Sequence, residues 1–303
     1  VPRMDIVLHL GAHKTATTYI QRRLMRGKRH LQRNGIAVLT PKRLRPALRA
    51  ATERLSGQSA ATYRRAEAAV YRELITDAEL LCVERLVISE ELLLGSLRQI
   101  CHPGTLYGDI ALAISPVLEA IDGRQTTLML AVRDYADFLP SAYGQLLRGW
   151  RYIAFTDDLH RRLFHFRGGW PDGVTDLRNA FPHAVDLKVW QVEAFETLER
   201  EVFHALVGAA ARGLARPGGM PLAGPSGAAI HAIHELAKDH IPSTEEMREL
   251  LMAWPKFEGH PPFDPWTDEE RAALTARYRA DLAELTASGL CSWIGAGPKK
   301  AAA

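Results

Sequence analysis

The chain has 303 residues, of which 47% are hydrophobic and 24% are charged, so it can bury a substantial core. These values exclude an intrinsically disordered chain, a collagen and a miniprotein stapled by disulfides. The length allows one large domain or two medium ones, and nothing in the sequence demands a second. We predict a single domain over residues 4–298 and leave residues 1–3 and 299–303 outside the fold.

The net charge is only +3, but positive charge is concentrated near one end. Residues 21–50 hold ten of the 38 lysines and arginines and none of the 35 acidic residues. A local field of this kind suits an anionic ligand, and a solvated helix face is the simpler alternative.

The cysteines and the hydropathy pattern bear on the compartment. Three cysteines, Cys82, Cys101 and Cys291, fit no zinc-binding spacing, and their odd number argues against a disulfide framework. We therefore expect a reducing compartment and a cytoplasmic protein. No apolar run approaches the ~18 residues that a transmembrane helix needs, so we expect no membrane span.

Apolar runs and helical patterns alternate along the chain. Strands are predicted at residues 6–10, 35–39, 86–88, 127–132 and 185–189. A first helix carries Ile20, Leu24 and Leu31, and further helices are predicted at about residues 60–81, 108–121, 137–149 and 193–207. This alternation predicts an α/β fold with three layers, a mainly parallel sheet flanked by helices.

The composition changes after residue 207. Residues 208–227 are rich in Gly, Ala and Pro and predict a loop. Helices are predicted at residues 226–237 and 267–287, each beginning at a capping hydroxyl, and we expect them to form a helical extension packed on the sheet. Segment 253–266 is predicted either to form a mobile lid or a wall of the acceptor site, or to pack in the core, and its aromatic residues are Trp254, Phe257, Phe263 and Trp266.

The strongest functional signal lies between the first strand and the first helix. Backbone amides at a helix N-terminus have no partners within the helix, and the helix dipole favours an anion there. Gly11 permits a tight turn, Lys14 adds an ammonium group and three threonines add hydroxyl donors. The predicted oxyanion-binding loop consists of Gly11, Ala12, His13, Lys14, Thr15, Ala16, Thr17 and Thr18.

A second element follows the fourth predicted strand. Arg133 stands at the end of that strand, and Ser141 lies eight residues later on the next predicted helix. A guanidinium group donates two parallel hydrogen bonds to a phosphate, and a serine hydroxyl adds a neutral donor. Taken alone, the pair is equally compatible with a surface ion pair and a helix cap.

Together these elements resemble the PAPS-dependent sulfotransferases, especially their bacterial branch. The pattern His-x-Gly-x-His-Lys-Thr-x-Thr-Thr over residues 9–18 is similar to their 5′-phosphosulfate loop, with Ala16 where Lys-[Ser/Thr]-Gly-Thr-Thr has glycine. Arg133 and Ser141 are similar to their 3′-phosphate segment, and fainter similarity continues at residues 188–190 and 268–271. The resemblance implies a P-loop NTPase-like sulfotransferase fold.

The resemblance also implies an activity. It implies transfer of a sulfuryl group from PAPS to a hydroxyl or amine of a small-molecule or glycan acceptor, with PAP as product and no metal required. Lys14 would stabilise the leaving phosphate. Glu90, at the end of a predicted strand, is the first candidate for the base, followed by Glu91, and a charged helix start is their alternative. Relatives use either a glutamate or a histidine as the base, so a histidine stays open for this role. His13 would contact the sulfuryl group, whereas His9 is predicted to be a core histidine with satisfied hydrogen bonds.

Two other functions fit parts of the pattern. A P-loop kinase or NTPase would use Lys14, Thr15 and Mg²⁺, but its motif requires glycine at the positions held by Leu8 and His13. A nucleic-acid-binding module would use residues 21–50, which lack a recognition motif and stacking aromatics. We therefore expect no nucleic-acid partner. The sequence leaves the acceptor and the oligomeric state open.

Overall fold

The structure is a computed structural model that describes residues 4–101, 104–149, 152–218, 224–256 and 259–297. Phe257, Pro298 and the two terminal segments left out of the predicted domain lie outside these ranges.

The strands form one sheet in which every neighbouring pair is parallel. The sheet order is β2-β3-β1-β4-β5-β6. Within the described ranges the strands are β1 Asp5–His9, β2 Ile36–Leu39, β3 Arg85–Ser89, β4 Thr126–Val132, β5 Asp186–Gln191 and β6 Ser292–Trp293. Their central members are nearly continuous apolar runs because both faces of a parallel sheet are covered. The predicted parallel α/β fold is confirmed.

Helices surround this sheet. In the part of the chain that the structure describes they are α1 Thr17–Arg26, α2 Lys28–Arg33, α3 Pro41–Thr52, α4 Ala60–Leu80, α5 Leu97–Cys101, α6 Ile110–Ile121, α7 Tyr135–Gly149, α8 Asp157–Phe164, α9 Trp170–Ala180, α10 Phe195–Val207, α11 Gly227–Leu236, α12 Thr244–Ala253 and α13 Asp268–Ser288. Residues 208–213, predicted as loop, instead form a short 3₁₀ helix. None of the helices in these ranges has the length and apolarity of a membrane span.

The helices pack on both faces of the sheet and produce three layers. On one face, α1, α2 and α10 bury apolar side chains against Val87, Met129 and Trp190 of the strands. On the other face, α4, α6, α7, α9 and α13 enclose a larger core with Ile88 and Leu130. Helices α11 and α12 add side chains to that same core, so the carboxyl-terminal helices extend the sheet's own packing.

The strand order creates one crevice at the centre of the sheet. β2 and β3 lie on one side of β1, whereas β4, β5 and β6 lie on the other. The chain therefore leaves β1 and β4 toward opposite edges, and the two connections diverge at the carboxyl ends of these strands. Ligands of open α/β sheets bind at such a switch point. Both predicted anion-binding elements begin here, one after β1 and one after β4.

Candidate functional site

A cleft of about 950 Å³ opens at the crevice between β1 and β4. Its size is in the range of sites that bind small molecules. Residues of both predicted elements line it: His13, Lys14, Ala16, Thr17, Thr18, Arg133 and Ser141. The other loop residues, Gly11, Ala12 and Thr15, are buried behind this surface. The loop thus divides into residues that face the cleft and residues that shape the backbone.

The loop after β1 has an unusual backbone. Gly11, Lys14 and Ala16 have φ angles of 45°, 64° and 63°. Only glycine fits at the first of these, because a Cβ there would lie 2.7 Å from Oγ1 of Thr17. The Thr15 hydroxyl donates to the Ala12 carbonyl and folds the loop back on itself. Left-handed conformations of non-glycine residues are costly and concentrate at functional sites.

Ala16 provides a direct test of this strain. It precedes α1 in a left-handed conformation and makes no side-chain cap hydrogen bond. Glycine avoids the ~1–2 kcal/mol that an L-residue loses there, and part of this gain is offset by the greater freedom of glycine in the unfolded chain. We expect Ala16→Gly to raise the free energy of unfolding by about 0.5–1 kcal/mol in urea denaturation. Ala12→Gly is the control, because Ala12 is buried without a positive φ and should lose stability. A lower free energy of unfolding in both variants would show that the backbone at Ala16 is not strained.

Lys14 lies in a strongly positive part of the cleft. Burial lowers the pKa of Lys14 to about 8, and the neighbouring charges of Arg148, Arg133 and Lys256 act in the same direction. An anion bound beside Lys14 would oppose all of these effects. The site is therefore suited to a ligand with more than one negative charge.

Arg133 connects the two elements. Its Nη1 donates to the Lys14 carbonyl at 2.8 Å, across 119 positions of sequence. Burial lowers the pKa of Arg133. Lys14 Nζ and Ser141 Oγ lie 3.8 Å and 3.9 Å from the point that a Cβ on Gly224 would occupy, so both reach the same space. The fold thus brings Lys14, Arg133 and Ser141 together, although no local pattern links them.

Glu90 does not line the cleft. Its side chain is 2% exposed, and Arg45 donates to its two oxygens through Nε at 3.1 Å and Nη2 at 2.7 Å. One of these oxygens also accepts the Leu92 N–H at 3.1 Å. Burial raises the pKa of Glu90 and outweighs the opposing influence of Arg45. These contacts make Glu90 a structural anchor for the turn that follows β3.

Glu91 is the carboxylate of this pair that faces the cleft. Its Oε1 accepts from Arg45 Nη2 at 2.7 Å, and its Oε2 accepts from Gln21 Nε2 at 3.2 Å. Burial raises the pKa of Glu91, but the Arg45 guanidinium more than offsets this and leaves the pKa below its ordinary value. Glu91 is therefore ionised at neutral pH.

The two predicted histidines have different surroundings. His13 lines the cleft, and its backbone N–H donates to the Tyr107 hydroxyl at 3.0 Å, while its Nδ1 lies 2.9 Å from the same oxygen. Burial lowers the pKa of His13 to about 4, so the ring is neutral at pH 7. His9 is fully buried, as predicted, with Nδ1 2.8 Å from Ser89 Oγ, but its buried Nε2 has no hydrogen-bond partner among the described residues, so the expectation that its polar atoms are satisfied holds for Nδ1 alone.

Two further residues that line the cleft, Arg148 and Lys256, are not among the predicted site residues. Arg148 lies two helical turns beyond Ser141 on α7, so helix periodicity could have indicated it. Lys256 belongs to the aromatic segment 253–266, and no motif marks it. That segment contributes to both the cleft and the core. Phe263 lines the cleft, whereas Trp266 is buried and donates its indole N–H to the Ala136 carbonyl at 2.9 Å.

Comparison of the chain with family models, curated proteins and solved structures finds no match. The arrangement of the cleft residues therefore carries the functional argument. Among the described residues, no group of three or more His, Cys, Asp or Glu side chains is placed to hold a metal ion.

Proposed function

We propose that the protein is a PAPS-dependent sulfotransferase of the type that its motifs resemble. The observation that carries the proposal is the meeting of Lys14, Arg133 and Ser141 in one cleft. Lys14 and the first turn of α1 suit a 5′-phosphosulfate, and Arg133 with Ser141 suits a separate phosphate. PAPS carries both groups, because it has a 3′-phosphate in addition to its phosphosulfate.

The cleft residues have separate tasks in this reaction. Thr17 and Thr18 are the first residues of α1, and their amides, free of partners within the helix, hold the 5′-phosphate. The acceptor oxygen or nitrogen attacks sulfur while the bond between sulfur and the bridging phosphate oxygen breaks. Lys14 neutralises the charge that grows on that oxygen as PAP leaves. The acceptor gives its proton to a carboxylate.

Glu91 receives this proton in the proposed mechanism, because it is the member of the Glu90–Glu91 pair that borders the cleft. We expect Glu91→Gln to lower kcat by at least ~10²-fold. Glu90→Gln is the matched control, and we expect it to lower stability with a much smaller effect on kcat. The measurement is the rate of PAP release with the first acceptor that supports turnover. A large loss of kcat in Glu90→Gln alone would move the base to Glu90.

The nucleotide itself is tested by thermal stabilisation in buffer free of phosphate and sulfate. PAP at ~100 times its Kd should stabilise the fold by about 2.7 kcal/mol without Mg²⁺. Stabilisation by ADP with Mg²⁺ but not by PAP would contradict the proposal and favour a P-loop kinase.

Recognition of the 3′-phosphate is tested at Arg133. We expect Arg133→Ala to weaken the binding of PAP by at least tenfold more than that of adenosine 5′-phosphosulfate, which has no 3′-phosphate, since a charged hydrogen bond contributes about 1.5–3 kcal/mol. The two affinities are compared as a ratio because Arg133 also donates a hydrogen bond to the Lys14 carbonyl. Losing that hydrogen bond weakens the binding of both ligands, whereas losing the contact with the 3′-phosphate weakens the binding of PAP alone. Arg43→Ala, which removes an exposed pair with Asp77, should change neither affinity. Equal losses for the two ligands would contradict this assignment.

We also propose that the acceptor of the sulfuryl group is a small molecule or a glycan. Cys82, Cys101 and Cys291 all lie within the described ranges, and all are free thiols. Free thiols support a reducing compartment, and we include a cytoplasmic location in the proposal.

A further inference from the structure

Tyr107 is held in an unusual position behind the cleft. It is buried, and its φ angle of 49° is one that a bulky residue rarely adopts. Its ring lies 6.3 Å from those of Phe138 and Trp170 between centroids. The fold thus tolerates a strained backbone at the residue whose hydroxyl contacts His13 twice.

The two contacts at the Tyr107 hydroxyl determine which form of the His13 ring is favoured. The backbone N–H of His13 can only donate, so the Tyr107 oxygen accepts there. The tyrosine proton then has one partner in this pair of contacts, Nδ1 of His13 at 2.9 Å. A proton on Nδ1 would point two donors at one oxygen and leave the buried tyrosine proton without an acceptor among the residues that the structure describes, which costs about 1–3 kcal/mol. These contacts favour a neutral His13 with its proton on Nε2.

We propose that Tyr107 is a positioning residue that fixes His13 as the Nε2–H imidazole and directs this N–H into the cleft beside Lys14. Nδ1 is turned toward Tyr107, so Nε2 is the ring nitrogen left for the cleft that His13 lines. The inference rests on the proposed function, in which this N–H donates to a sulfuryl oxygen of PAPS. His13 then acts as a donor and takes no proton from the acceptor.

The charged groups around His13 are consistent with its role as a hydrogen-bond donor that takes no proton. Glu91, Arg45 and Lys14 influence the ring, but burial dominates and keeps it neutral. A neutral ring with its one basic nitrogen already bonded to Tyr107 is poorly suited to accept a proton. Glu91, which is ionised and borders the cleft, therefore stays the proton acceptor of the proposed mechanism.

The tautomer is tested in the free protein by ¹⁵N NMR of its histidines, with the His13 signals assigned from His13→Asn. We expect the wild-type protein at pH 7 to show a proton on Nε2 and none on Nδ1. Tyr107→Phe should give a mixture of tautomers. Tyr143→Phe is the matched control, since its hydroxyl contacts His234 Nε2 at 2.8 Å and the Ile153 carbonyl at 2.7 Å; it should leave the His13 signals unchanged. A proton on Nδ1 in the wild-type protein would overturn the inference.

The donor role is tested by turnover of PAPS. We expect Tyr107→Phe to lower kcat roughly tenfold with a smaller change in KM, as for a misdirected hydrogen bond. His13→Gln, which keeps an N–H donor, should retain more activity than His13→Ala. Equal loss in these two variants would overturn the donor role. If PAP fails to bind while the Nε2–H tautomer is present, the proposed function falls with the sulfuryl contact, and the control of the tautomer by Tyr107 stands.

Discussion

Replacing Lys14 with methionine should stabilise the free protein and abolish its response to PAP. In the folded chain the pKa of Lys14 is lowered from 10.5 to about 8, chiefly by burial. Holding the ammonium group charged at pH 7 therefore costs the fold about 3 kcal/mol. Methionine keeps the length of the side chain and removes the charge, so we expect a gain of up to about 3 kcal/mol in the free energy of unfolding. Turnover should become undetectable.

The pH dependence gives an independent measurement of the same effect. Between pH 8 and 10.5 the unfolded chain holds a proton on Lys14 that the folded chain has released. The stability of the wild-type protein should therefore rise with pH across this window, and Lys14→Met should lack that rise. Lys42→Met, on the exposed surface of α3, should change stability by less than about 0.5 kcal/mol. The measurement is urea denaturation at a series of pH values. If Lys14→Met were less stable than the wild type at pH 7, the charge on Lys14 would not be the source of the predicted destabilisation.

Among the variants considered, Arg45→Ala should show the largest decrease in the free energy of unfolding. Glu90 is almost fully buried and depends on the two hydrogen bonds from Arg45. Breaking a buried pair by deleting one partner typically costs 3–5 kcal/mol, and we expect about 3 kcal/mol for Arg45→Ala because the guanidinium is partly exposed. Arg43→Ala, on the same helix, breaks a pair with Asp77 in which both side chains are about half exposed, and should cost less than about 1 kcal/mol.

The loss in Arg45→Ala should depend on pH. Burial raises the pKa of Glu90, and without Arg45 nothing in this pair opposes it. The folded variant then holds a proton that the unfolded chain releases, so its stability falls as the pH rises through the range between the two pKa values. The deficit relative to the wild type should be smaller at pH 5 than at pH 8. A deficit independent of pH would mean that Glu90 is not the source of the loss.

The strands were predictable from the sequence because buried parallel strands are short, continuous apolar runs. The prediction at residues 127–132 corresponds to Thr126–Val132, and that at 6–10 to Asp5–His9. β6 has only two residues, both half-buried, and such a segment has no detectable pattern. Helix α3 was not predicted, because Pro46 lies inside it and Leu44 is its one fully buried residue, although Ala47, Leu48 and Ala51 continue the same face and pack partly buried on the core. Helix α12 carries a capping-box pattern at Ser243 and Glu246 that could have revealed it.

The site was predictable only where its residues follow one another in sequence. The loop around Lys14 has a local signature, because a strand, a turn and a helix start produce it together. The choice between Glu90 and Glu91 depends on Arg45, which lies 45 positions before the first of them and pairs through the fold. Tyr107 lies 94 positions from His13 and has no motif of its own. Partners of this kind are set by packing, which no spacing rule encodes.

The line between β1 and β4 is also the line along which the sheet divides into two halves of continuous sequence. Strands β1 to β3 come from residues 5–89, and β4 to β6 from residues 126–293. The hydrogen bond from Arg133 to Lys14 crosses this line, as does any molecule held by both residues. Occupancy of the cleft and cohesion of the halves are therefore coupled equilibria. In the proposed function, a nucleotide held by Lys14 and Arg133 therefore stabilises the contact between the two halves, and separation of the halves would release it.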